Sequence, residues 1–485
     1  MKRTLPALLA AALAGALLGA PAGAQVLPPP PPSLKTVPVP EPSNLARFVR
    51  NRPAAIALGK ALFWDMQVGS DGIQACASCH FHSGADNRTK NQLNPGTAHG
   101  ATTFEVAGPN HTLAETDFPF HRLGDPASRF SPVLFDSDDV VSSQGVFRKK
   151  FADIVPGRAQ EMCSSVPDPI WSVGGTNVRR VAPRNTPSVI NAIFNFRNLW
   201  NGRGNAVFNG VSTFGPRDAA ARVLEVQPDG SVLAVPVAID HGSVASVAVG
   251  PPLSADLMSC AGRTWPKIGK KLLGLTPLGR QVVDPHDSVL GPLATSARTP
   301  GAPGLRVSYT TLIQDAFQPP YWKSPKVVTF PLGVLSIADP TGTPLTTDQF
   351  TVMEANFSLF FGLAVQLYQA TLVSDDSPFD RFMDGGGEGG ATTNALTPEQ
   401  KLGLAVFTNV GLNPLVGAGG CIGCHAGAEF TVASTNRIGL VEPPDPLAPP
   451  PVAEGVIEHM AMAVQGALRA LVFATHPAAL EPCVR

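Results

Sequence analysis

Two five-residue stretches hold the residues best suited to chemistry: Cys76-Ala77-Ser78-Cys79-His80 and Cys421-Ile422-Gly423-Cys424-His425. Both read C-x-x-C-H, the attachment signature of a c-type haem. Thiols about one helical turn apart can each add to a haem vinyl group, and the following His then meets the iron as its axial ligand. Without the His, the spacing would suit a redox dithiol or half a zinc site. Two copies with the His point instead to two covalently bound haem c groups. One is expected on Cys76, Cys79 and His80, the other on Cys421, Cys424 and His425, with His80 and His425 on the irons.

The elements that must position these turns are also repeated. Leu58-Gly59-Lys60-Ala61-Leu62-Phe63 leads to Cys76, and Leu402-Gly403-Leu404-Ala405-Val406-Phe407 leads to Cys421. This L-G-x-A-x-F echo implies a duplicated haem module. In the second copy Thr397-Pro398-Glu399-Gln400 reads as an N-cap, a Pro at the first helical position and a capping-box Gln, so a helix is predicted over 398–407. The first copy should start similarly at Pro53. Ahead of the second module, 354–373 carries Phe357, Phe360, Phe361, Ala364, Leu367, Tyr368 and Leu372 at helical spacing, the pattern of a core helix. Residues 81–183 and 219–305 are rich in Gly, Pro, Ser and Asp and read as insertions, with a hairpin predicted near 231–239.

Composition narrows the class of protein. The 485 residues include 36 Lys+Arg and 37 Asp+Glu, only 15% charged, with 44% hydrophobic, 49 Pro and 47 Gly. Such a chain is no coiled coil or charged tail, and it lacks the basic footprint of a nucleic-acid binder. High Pro and Gly with few charges suits loops wrapped around a large apolar cofactor. Lys2 and Arg3, the apolar run from Leu5 to Leu18 and Ala22-Gly23-Ala24 form a signal peptide over 1–24, with a retained anchor as the alternative. Export to the periplasm and no membrane span after leader removal are expected. Five prolines at 28–32 make 25–42 a linker, with folding from near Ser43. In an oxidising compartment Cys163 and Cys260 either close a disulfide or stay as buried thiols, and Cys483 is left odd.

The sequence resembles the bacterial dihaem cytochrome c peroxidases. The resemblance runs through Leu58 to Cys79, Arg184 to Arg203, Gly250 to Met258, Tyr309 to Phe317 and Asn356 to His425. It includes Arg184-Asn185-Thr186-Pro187-Ser188-Val189-Ile190-Asn191, Trp200-Asn201-Gly202-Arg203 and Ser377-Pro378-Phe379-Asp380-Arg381. It implies a mainly α fold of two cytochrome c-like haem domains with long loop insertions. The N-terminal, peroxidatic domain would span 43–345 and the C-terminal one 346–485, with a homodimer as the candidate assembly. It also implies that the first haem reduces hydrogen peroxide, that the second takes electrons from a small cytochrome c or cupredoxin-type donor, and that Trp200 lies between them. Packing and bridging are compatible roles for that indole. Asn185 takes the place of the family's calcium-binding asparagine.

Three departures from the family pattern accompany the match. No histidine stands at Gly174-Gly175-Thr176-Asn177-Val178, where the family carries one that caps the first haem, unless His99, His111 or His121 substitutes. The family's catalytic glutamate falls at Leu257, leaving neighbouring Asp256 to move the proton or to be a surface Asp. After His425 the family's further ligand segments are missing, so the C-terminus reads as truncated or frame-shifted. Met460 is then the candidate sixth ligand, with Met462 and His459 as rivals and packing as the alternative. Two other functions stay open: a dihaem electron carrier without peroxidase activity, and a dihaem oxidase acting on a protein. The second lacks the haem-ligating tyrosine of the quinone-maturing oxidase, since Tyr309, Tyr321 and Tyr368 all precede the second motif.

Overall fold

The computed structural model describes residues 30–82, 86–96, 101–199, 201–408 and 419–438. They form two compact units, one of 37–374 with 433–438 and the other of 30–36, 375–408 and 419–432. In the larger unit the helices are α1 (Arg52–Trp64), α2 (Ala77–His80), α3 (Ser243–Ala248), α4 (Trp265–Leu273), α5 (Tyr309–Ala316), α6 (Val352–Ala355), α7 (Phe357–Gln369) and, past the break, α10 (Thr435–Ile438). The smaller unit holds α8 (Pro378–Asp384) and α9 (Pro398–Thr408).

The core of the larger unit is built on α7, whose residues are all buried. A helix apolar on every side must be surrounded. Here α1 supplies Leu58, Ala61 and Leu62, α5 supplies Leu312 and Ile313, and α4 supplies Trp265, Ile268 and Leu272. The crossing of α1 and α7 depends on Gly59: a Cβ there would lie 1.9 Å from the Ala364 carbonyl oxygen. Only a residue without a side chain permits that approach.

The expectation of a mainly α fold is overturned, since helix makes up 30% of the structure and strand 14%. The supposed loop insertions over 81–183 carry short antiparallel ladders: 93–94 with 140–141, His121–Leu123 with Val133–Asp136, Lys149–Asp153 with Met162–Ser165, and 172–173 with 176–177. Their turn chemistry explains them. Gly174 and Gly175 both take positive φ, 56° and 78°, as a two-residue hairpin turn requires. Nor is 219–305 only loop, because α3 and α4 lie in it and α4 buries its Trp265, Ile268 and Leu272 face. The hairpin expected near 231–239 pairs Val232–Val235 with Val223–Val226 through a turn at Gly230.

The core helix predicted over 354–373 exists but is broken at Asn356. The Asn356 amide accepts from Leu224 N–H at 2.8 Å and donates to the Leu224 and Tyr321 carbonyls at 2.7 and 2.8 Å. A buried amide satisfied from outside the helix competes with helical continuity. At the other end of the chain, Leu34 is buried and its N–H donates to Asp380 Oδ1 at 2.8 Å.

Candidate haem-attachment sites

In the first site α1 opens on Asn51, whose side chain accepts from Ala54 N–H, and ends at Asp65. That carboxylate is fully buried and accepts from Gln67 N–H, Gln67 Nε2, Leu278 N–H and the Tyr309 hydroxyl, at 2.8 to 3.1 Å. Four donors on one buried carboxylate fix where the chain leaves α1. The following loop is held by Asp71, which accepts from Ile73 and Gln74 N–H and pairs with Arg179. It is also held by Ser70, whose hydroxyl donates to Glu161 at 2.6 Å. Glu161 itself sits on Arg263 at 2.8 Å and Lys271 at 2.6 Å, with no exposed side-chain surface. Cys260 N–H donates to Ser70 Oγ, and Cys260 forms a disulfide with Cys163, the pairing that sequence left open.

This frame delivers the turn Cys76–His80. Cys79 and His80 N–H both donate to the Cys76 carbonyl, and the two thiols remain unbridged. Burial pushes the Cys76 thiol up to about 12 and also raises Cys79. Such thiols are not poised as a dithiol redox pair, which needs a stabilised thiolate. His80 Nδ1 lies 2.9 Å from the Pro187 carbonyl, and burial lowers its pKa to about 4. A neutral imidazole with Nδ1–H on a carbonyl has its Nε2 lone pair free for a metal.

The second site repeats the device. The capping box at α9 is present as predicted, with Thr397 N–H on Gln400 Oε1 at 2.9 Å and Gln400 N–H on Thr397 Oγ1 at 3.3 Å. The helix runs to Thr408, and Gly419 N–H returns to the Val406 carbonyl at 3.1 Å. Gly420 takes φ 60° and starts the turn, and His425 N–H donates to the Cys421 carbonyl at 2.9 Å. His425 is buried and its Nδ1 faces the Phe430 carbonyl at 3.2 Å. Phe430 in turn packs on Phe379 and Phe407. Cys421 and Cys424 are exposed and unbridged. Both turns therefore fit a covalently attached haem in the C-x-x-C-H spacing of their unbridged cysteines and in the way each His is oriented.

Other predicted residues are placed less centrally. Asp256 is 48% exposed in its side chain and pairs with Arg180 at 2.5 Å, while Arg180 also holds Asp168. Asn185 donates to the Val141 carbonyl at 3.0 Å. Among the described residues no cluster of three or more His, Cys, Asp or Glu side chains could hold a metal ion. His111 and His121 pair with Asp117 and Asp136. Trp200, His99, Met460, Met462, His459 and Cys483 lie outside the described residues. Among the described residues no helix is long and apolar enough to cross a membrane. Sequence reasoning missed the Pro187 and Phe430 carbonyls, Asp65 and the Glu161 cluster. Of these, Asp65 and Pro187 lie in stretches that carry the family resemblance.

Comparison with known proteins agrees with the first site. Residues 53–274 match the family model of di-haem cytochrome c peroxidase. Over 94 residues the chain is 35% identical to the cytochrome-c peroxidase IdrP2 of Denitromonas iodatirespirans, a stretch covering 19% of this chain and 22% of that protein. Over 83 residues it is 36% identical to the cytochrome c551 peroxidase of Pseudomonas aeruginosa, covering 17% and 20%. The chain thus spans about a fifth of the length of these relatives in each match. The resemblance read from sequence is shown over 53–274, a stretch that contains the Cys76–His80 turn.

Proposed function

We propose that this protein is an exported, periplasmic dihaem peroxidase that reduces hydrogen peroxide with electrons from a small cytochrome c or cupredoxin-type donor. The observation that carries this reading is the pair of C-x-x-C-H turns, each with unbridged thiols and a His turned by its Nδ1 onto a backbone carbonyl. When bound, the two haems supply the redox chemistry, peroxide reduction at one and electron storage at the other. The chain's own residues do the rest. Cys76, Cys79, Cys421 and Cys424 would hold the porphyrins, and His80 and His425 would offer Nε2 to the irons. The Pro187 and Phe430 carbonyls keep those rings in one tautomer and raise their basicity.

Asp256 is the proposed proton carrier. Arg180 holds Oδ1, so the half-exposed carboxylate can take a proton at Oδ2 and return it while exchanging with solvent. Trp200 carries electrons toward the His80 site, Met460 supplies a sixth ligand in the C-terminal part, and Asn185 contributes a carbonyl to calcium. Residues 1–24 direct export, and the assembly is a homodimer.

The test is anaerobic addition of peroxide to the fully reduced protein, followed by haem absorption. A two-electron oxidation of the protein per peroxide is expected. His80→Gly should abolish peroxide consumption and leave the spectrum of the second haem in place, whereas retained turnover overturns the assignment. No histidine stands at Gly174–Val178, where the family resemblance places one, so the first haem, once bound, would be open to peroxide unless His99, His111 or His121 substitutes. Low-temperature EPR of the resting protein should therefore show a high-spin ferric signal, and a purely low-spin spectrum would favour an electron carrier.

A further inference from the structure

Trp64, at the end of α1, is the least buried of the described tryptophans, with 36% of its surface exposed. Its Nε1–H donates to the Tyr368 hydroxyl of α7 at 3.0 Å. Between this pair and the first haem ligand stands one ring, Phe63. The centroid of Phe63 lies 6.0 Å from Trp64, 5.4 Å from Tyr368 and 6.1 Å from His80. The close crossing of α1 and α7 at Gly59 brings these rings together. The other described tryptophans stand apart: Trp265 packs on Phe357 and Phe361, Trp171 lies under Arg180, and Trp322 donates to the Phe317 carbonyl.

We propose that Trp64 is a surface redox relay for the first haem, through which a one-electron donor at the protein surface reaches His80 by way of Phe63, separately from Trp200. The inference rests on the peroxidase reading of that site. Peroxide is the oxidant: once it has oxidised the haem at His80, one electron leaves the Trp64 indole and returns to that haem. No bond is made or broken. The indole radical cation keeps its N–H on Tyr368 and is refilled by one electron from a phenol or similar small organic reductant.

Tyr368 is the positioning partner and not the resting place of the hole. Oxidising a phenol at neutral pH requires losing its proton, and among the described residues none accepts from the Tyr368 hydroxyl. Burial also raises its pKa, which the Trp64 hydrogen bond only partly offsets. An indole can hold the hole without giving up a proton. Phe63 is too hard to oxidise to trap it and serves as the bridge. Lys60, paired with Asp287 at 2.7 Å and lying over the Tyr368 ring, braces the cluster.

The experiment is freeze-quench EPR of the oxidised dihaem protein after one equivalent of peroxide and no donor, with haem absorption recorded in parallel. An indole radical whose spectrum narrows in D2O is expected, lost completely in Trp64→Phe and retained in Tyr368→Phe. Peptide mass spectrometry after excess peroxide should find oxygen added at Trp64 before Trp171 or Trp322. A normal peroxide-induced absorption change with the same radical in Trp64→Phe overturns the relay alone. No absorption change at all in the native protein overturns the peroxidase reading, and the relay with it.

Discussion

Helices α1 and α9 carry the same L-G-x-A-x-F letters and meet different surroundings. On α1, Leu58, Ala61 and Phe63 are buried, and Gly59 touches the α7 backbone. On α9, Thr408 alone is buried, Leu402 is 51% exposed, and no described atom outside the helix's own backbone lies within 4 Å of where a Gly403 Cβ would stand. A repeated motif therefore specifies a helix, while burial is set by what packs on it. For α1 that partner is α7, about 300 residues further along the chain. One relationship is kept in both copies: the motif Phe stands beside the haem turn, Phe63 against the His80 ring and Phe407 against Phe430, whose carbonyl holds His425.

The largest expected effect tests an anchor that, among the described residues, only the first module has. Arg263 and Lys271 share Glu161 in the interior, so Arg263→Met leaves an under-compensated buried carboxylate and should cost about 3–5 kcal/mol in denaturant unfolding. Acid sensitivity follows from the same cluster. Burial alone would raise the Glu161 pKa, but Arg263 and Lys271 outweigh it and hold the group below its ordinary 4.5. A depressed carboxylate contributes stability above about pH 4.5 that is lost as pH falls through its lower folded value. The native protein should lose stability in that window, and Arg263→Met should lose it at higher pH.

Next in size is the motif Phe. Phe63→Ala empties a fully packed site and should cost about 3–5 kcal/mol. Phe407→Ala removes a half-buried ring and should cost about 1–2 kcal/mol. Equal losses in thermal unfolding would mean that the two modules are packed alike after all.

How much of this was readable in the sequence depends on how local each cause is. The turns at Cys76 and Cys421 and the Thr397–Gln400 cap are each fixed by neighbours within four residues, and all were legible. The broken core helix was not, because the reason lies in Leu224 and Tyr321, which bond the Asn356 amide. The carbonyls that turn His80 and His425 are backbone atoms, and no residue letter announces them. The Glu161–Arg263 pair is separated by 102 positions and shows no periodicity. The small ladders of 93–177 have strands of two to five residues, too short for an alternation to stand out from loop.

The smallest expected effect separates the modules most cleanly, because one change is made at one motif position in each. At Gly59 a Cβ would lie 1.9 Å from the Ala364 carbonyl oxygen, so Gly59→Ala must push α1 away from α7. The overpacking cost is about 1–3 kcal/mol, and the shift disturbs the Phe63 contact with His80. At Gly403 no described atom outside its own helix backbone lies within 4 Å of the added methyl, and alanine there lowers the entropy of the unfolded chain. Gly403→Ala should be neutral or stabilise by up to about 1 kcal/mol. The sign of the difference between the two variants, read from paired thermal unfolding curves, is the decisive quantity. If Gly403→Ala destabilised as strongly as Gly59→Ala, α9 would have to be crossed by backbone as closely as α1 is, and the contrast between the modules would disappear.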